Sequence, residues 1–142
     1  MKKYTTILFD LDGTLTDPGE GIINSVEYAL NKFGITVDDK KSLAKFIGPP
    51  LLVSFSTYYG FDEEKSRKAI EIYREYYKDK GINECKLFDG IRELLESLKN
   101  AGYEIALATS LTVILLYKCS CPSTNLQSLC PTLTILGACG CN

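Results

Sequence analysis

The segment that most limits the fold is Tyr4 to Phe9, a β-branched and aromatic run that stops at Asp10-Leu11-Asp12-Gly13-Thr14. A short apolar run bounded by an acidic, glycine-containing turn reads as a buried strand ending at a functional loop. A second run of this kind, Tyr103 to Thr109, ends in Thr109-Ser110. Between them the apolar residues fall at helical spacing. Ile22, Ile23, Val26, Ala29, Leu30 and Phe33 form a first stripe that stops at Gly34, and a second helix is expected over Asp38 to Phe46. A third starts after Gly48-Pro49-Pro50 and ends near Gly60. Asp62 caps a long fourth helix with Ala69, Ile70, Tyr73 and Tyr76 or Tyr77 on its buried stripe, closed by Gly81. Asp89-Gly90 opens another, with Ile91, Leu94, Leu95 and Leu98 on one face and Gly102 at its end. Strand, helical block, helix, strand predicts an α/β core, a doubly wound parallel sheet with an inserted all-helical block.

In such a sheet both strands deliver their C-terminal ends to one edge, where ligands bind. Asp10 and Asp12 share a face if the strand continues straight, and Gly13 permits a sharp turn that lets backbone approach a ligand. One carboxylate can attack an electrophile while the other gives and then takes a proton. Two anions facing a phosphate repel it, so a bridging divalent cation is expected, and ligands that are all oxygen point to Mg²⁺. At the second strand, the Thr109 hydroxyl and the Ser110 amide are candidate donors to phosphoryl oxygens.

Composition excludes more than it selects. The net charge is −2, with no Lys/Arg cluster, which argues against a nucleic-acid partner. The apolar run after Met1-Lys2-Lys3 is too short and too soon acidic for a signal peptide. No stretch approaches the roughly 18 apolar residues of a membrane span, so a soluble, cytoplasmic chain is the expectation.

The segment ILFDLDGTLTD, residues 7 to 17, resembles the haloacid dehalogenase superfamily. The FIGPPL segment at 46 to 51, LFDGI at 87 to 91 and LATS at 107 to 110 are similar to its phosphoglycolate phosphatase-like and 5′-nucleotidase-like branch. The resemblance implies Mg²⁺-dependent hydrolysis of a small phosphorylated metabolite through an aspartyl-phosphate. Asp10 would be the nucleophile, and Asp12 would protonate the leaving group and then activate water, while its backbone carbonyl would help Asp10 hold the metal. Thr109, Ser110 and Gly13 would bind the phosphoryl group. Residues 1–16 with 85–110 would form a partial core and residues 17–84 a helical cap, with Asp17 at the hinge and Gly48 and Pro49 in a loop contacting substrate.

Residues 111–142 are of another character. All eighteen acidic residues lie at or before Glu104, and five of the six cysteines lie from Cys119 onward. The superfamily's pattern continues with a Lys some tens of residues past the Thr109 position, then with further aspartates that complete the metal shell. Here the later part holds one cation, Lys118, and no acid. The core is therefore expected to be incomplete, with exposed apolar sheet edges, and the chain to be weak or inactive by itself. A non-catalytic, phosphate-binding remnant is one alternative. A metal-binding protein using the cysteine-rich tail is another, although one residue between paired cysteines and the absence of any His fit zinc poorly. The abrupt change at Leu111 also suggests a frame-disrupted tail, which sequencing of the locus tests.

Overall fold

The computed structural model describes residues 4–109 and 134–137. In chain order the elements are β1 (Thr6–Phe9), β2 (Thr16–Asp17), α1 (Gly19–Lys32), a 3₁₀ helix (Lys40–Phe46), α2 (Leu51–Tyr59) and α3 (Glu63–Asp79). There follow a short 3₁₀ turn (Gly81–Asn83), β3 (Lys86–Leu87), α4 (Ile91–Asn100), β4 (Glu104–Thr109) and β5 (Thr134–Gly137). The chain divides into two compact units: Gly19–Glu84 is one, and the segments on either side of it form the other.

The first unit is built on a parallel sheet in the order β1-β4-β5, as α/β chain order demands. Thr6 lies opposite Glu104 and Phe9 opposite Leu107, so β1 and β4 end at one edge. On β4, Ile105, Ala106 and Leu107 are all buried, the continuous apolar run of a strand covered on both faces. Helix α4 packs Leu95 against Ile105, with Ile91, Leu98 and Phe9 around them. Leu94, placed on that face by its spacing, is instead 42% exposed. β5 departs from the expectation of an unpaired flank: Thr134–Gly137 pairs in parallel with β4, Leu107 opposite Ile135. A β-branched run is suited to a sheet position whatever the composition around it.

The second unit is helical. Val26, Ala29 and Leu30 of α1 meet Leu43, Phe46, Phe55, Phe61, Ala69 and Tyr73 in one core. Its aromatic rings pack edge to face, Phe46 on Phe55 at 5.1 Å and Phe33 on Phe61 at 5.2 Å. Asp62 caps α3 as expected, its carboxylate accepting from the Lys65 amide at 2.8 Å. The helix expected over Asp38 to Phe46 is a 3₁₀ helix from Lys40. Asp39 accepts from the Lys41 amide and, through its carbonyl, from the Ser42 hydroxyl, which tightens the turn. Its two buried residues, Leu43 and Phe46, are three apart, the spacing a 3₁₀ helix aligns on one side. Gly81 does not close α3 as a left-handed cap; it begins the next turn. No helix among the described residues is long and apolar enough to cross a membrane.

Candidate active site

The aspartate loop is organised around one carbonyl. Leu11 O accepts from the amides of Thr14 at 3.3 Å, Leu15 at 2.9 Å and Thr16 at 3.0 Å, and from the Thr16 hydroxyl at 3.2 Å. Gly13 turns the chain with φ +76°, a left-handed conformation that costs a residue without Cβ little. Its amide donates to Thr16 O at 2.8 Å, closing the loop. The loop is pinned from below by Leu11 and Leu15, each 1% exposed, which pack against Leu107 of β4. It is pinned laterally by the pairing of Thr16 with Leu87 and by the Phe88 amide on Leu15 O at 3.1 Å.

Asp10 and Asp12 flank the buried Leu11 and are both exposed. Protein around Asp12 pushes its carboxyl above the usual carboxylate value, partial desolvation first and the Asp10 charge second. A hydrogen bond from Thr16 opposes both. Because the Asp12 residue is open to solvent, the desolvation is partial and water still reaches the carboxyl. A carboxyl pushed above the usual carboxylate value is chemically suited to carrying a proton.

The β1–β4 register brings the backbone of Thr109, two residues past Leu107, to the sheet edge where Asp10 follows Phe9. Ser110 and the cysteines from Cys119 onward lie outside the described residues. Asp17 lies on β2 opposite Lys86, one residue before Pro18, the last residue of the first unit's N-terminal segment. Gly48 and Pro49 belong to the helical unit, exposed between the 3₁₀ helix and α2. Sequence reasoning overlooked Thr16. Its signal is a β-branched hydroxyl residue directly after buried Leu15, four residues beyond Asp12.

Among the described residues no three His, Cys, Asp or Glu side chains gather into a metal cluster. Two neighbouring carboxylates nonetheless suit Mg²⁺, which takes one or two protein carboxylates and fills its shell with phosphate oxygens and water. The donor set fits that ion and not zinc.

Comparison with known proteins shows the family and the fold. A family model described as haloacid dehalogenase-like hydrolase matches residues 7–115. Over 108 residues the chain is 52% identical to a 5′-nucleotidase of Pseudomonas aeruginosa, covering 76% of this chain and 49% of that protein. It is 40% identical over 104 residues to the tyrosine-protein kinase PtkA of Mycobacterium tuberculosis, covering 73% and 35% respectively. A Clostridium difficile protein solved as a candidate phosphatase superposes with a TM-score of 0.81 at 41% identity, covering 97% of this chain and 62% of that one. The chain thus spans about half the length, or less, of these curated relatives.

Proposed function

The chain belongs to the haloacid dehalogenase-like hydrolase family, and on that premise we propose that its aspartate loop hydrolyses a small phosphomonoester in two steps through Asp10. The observation that carries this reading is the exposed pair Asp10 and Asp12, held on either side of buried Leu11 at the C-terminal end of β1. The names of its relatives differ in the acceptor, and transfer of a phosphoryl group is common to a nucleotidase and a kinase; the nucleotidase, at 52% identity, favours water.

In the first step an Asp10 carboxylate oxygen bonds to phosphorus as the bond to the leaving oxygen breaks, and Asp12 gives that oxygen its proton. In the second, Asp12 takes a proton from water as the water oxygen attacks the aspartyl-phosphate, releasing phosphate and restoring Asp10. The upward push on the Asp12 carboxyl suits it to carry that proton. Asp10 and Asp12 would hold Mg²⁺, which supplies positive charge against the phosphoryl oxygens. Thr109 and Ser110 would donate to those oxygens, and Gly13 leaves room at the loop, with nothing within 4 Å of where its Cβ would stand. Residues 17–84 would act as a cap, with Asp17, Gly48 and Pro49 bearing on substrate choice.

For the 142 residues alone we propose slow turnover or phosphate binding without turnover. After Glu104 the sequence holds one cation, Lys118, and no carboxylate side chain. Removing one preorganised charge partner of a developing anion costs about 10²–10³ in rate. The test is hydrolysis of p-nitrophenyl phosphate by the purified chain with Mg²⁺, beside Asp10→Asn. Residual turnover that Asp10→Asn abolishes supports the catalytic reading. Turnover that survives in Asp10→Asn overturns it.

A further inference from the structure

Thr16 stands apart from the residues given roles so far, and its surroundings are unusual for a threonine. It is 3% exposed, beside a carboxyl group that faces solvent. Its backbone is fixed on both sides, the amide on Leu11 O at 3.0 Å and the carbonyl on the Gly13 amide at 2.8 Å, and β2 pairs it with Leu87. A β-branched side chain on so fixed a backbone has few rotamers. Its hydroxyl lies 3.2 Å from Leu11 O and 3.5 Å from Asp12 Oδ1.

A hydroxyl has one proton to donate and two lone pairs to accept with, so it donates to one of these oxygens at a time. Leu11 O already receives the amides of Leu15 and Thr16 at 2.9 and 3.0 Å, enough to occupy its two lone pairs. The hydroxyl therefore loses little by turning to the carboxylate, where a charged acceptor makes the stronger bond.

We propose that Thr16 is the positioning residue of Asp12, its buried hydroxyl holding that carboxyl in one orientation. The proposal rests on the proton-carrying role given to Asp12 above, but its test does not depend on turnover. In the full 142-residue chain labelled with ¹³C and ¹⁵N, the three-bond couplings from Asp12 Cγ to its backbone nitrogen and carbonyl carbon report its χ1 directly. Thr16→Val keeps the shape and removes the hydroxyl, Thr16→Ala removes both, and Thr16→Ser keeps the hydroxyl. The expected result is a single χ1 rotamer in the native chain and in Thr16→Ser. In Thr16→Val and Thr16→Ala the couplings are rotamer-averaged. If Thr16→Val does not fold, the contrast between Ala and Ser decides. A single rotamer without the hydroxyl, or averaging in the native chain, overturns the proposal. Where turnover is measurable, Thr16→Val lowers kcat by about 10- to 100-fold with KM unchanged, and Thr16→Ser restores it. Loss of turnover in every form with the couplings as expected would count against the hydrolytic reading and leave this one standing.

Discussion

At the scale of single residues, the aspartate loop carries a stability cost at Asp12. Desolvation and the Asp10 charge favour the protonated form of Asp12 in the folded chain. A carboxyl whose folded value is raised costs nothing where both states are protonated. Its cost grows as pH rises from the unfolded value to the folded one, and above that it is constant. Asp12→Asn is therefore expected to melt higher than the native chain at neutral pH in the presence of a chelator. The gain is at most about 1 kcal/mol, the ceiling for charges screened by solvent, and it disappears near pH 3, below the usual carboxylate range. Thermal melts of both forms across that range check it. A native chain that gains stability on going from pH 3 to 7 relative to Asp12→Asn would reverse the sign and contradict the cause assigned. Both aspartates were legible in the sequence, because two acids before Gly-Thr at the end of an apolar run form a dense local pattern. Thr16 was not, since its importance comes from burial and from a hydroxyl shared with Leu11, and neither is written in the spacing.

At the scale of elements, α1 and the turn after α3 approach each other closely through two glycines. A Cβ on Gly21 would overlap the carbonyl of Gly81, which is backbone and has no side chain to move aside. At an ordinary interior helix position, replacing Gly with Ala gains about 1 kcal/mol. Here Gly21→Ala is expected to lose about 1–3 kcal/mol by overpacking, so the sign alone distinguishes a close approach from a tolerated glycine. Urea unfolding of the two forms measures it. Loss of the α3 cap is a separate and smaller matter. Asp62→Ala removes the acceptor of the Lys65 amide and is expected to cost about 0.5–2 kcal/mol, read from the same titration. The helices α1, α2, α3 and α4 were legible from their stripes and stop signals, because 3.6-residue periodicity survives over two or more turns. Lys40–Phe46 was not, because two apolar positions three apart fit an α-helix and a 3₁₀ helix alike, and the side-chain bonds around Asp39 decide between them.

At the scale of the whole molecule, parallel pairing of β1 with β4 followed from chain order alone, whereas β5 was hidden by a tail whose composition drew attention away from Thr134–Gly137. The division into two units has a consequence that can be measured. All nine residues of the helical core cluster, from Val26 to Tyr73, come from Gly19–Glu84. The two ends of that stretch are tied together inside it: Glu84 accepts from Asn24 and from the Tyr76 hydroxyl, each at 2.9 Å, and Gly21 meets Gly81. A polypeptide of residues 19–84 is therefore expected to fold alone, with a helical circular dichroism spectrum and one cooperative thermal transition. A core of this size rarely supplies more than about 3–5 kcal/mol, and Phe55→Ala in a buried aromatic cluster costs about as much. The substituted fragment should then lose its transition altogether. Mg²⁺ distinguishes the units: it should raise the melting temperature of the full chain, which contains Asp10 and Asp12, and leave the fragment unchanged. A fragment that melts without cooperativity would mean that the helical unit draws its stability from the rest of the chain. A fragment stabilised by Mg²⁺ would move the metal away from the aspartate loop.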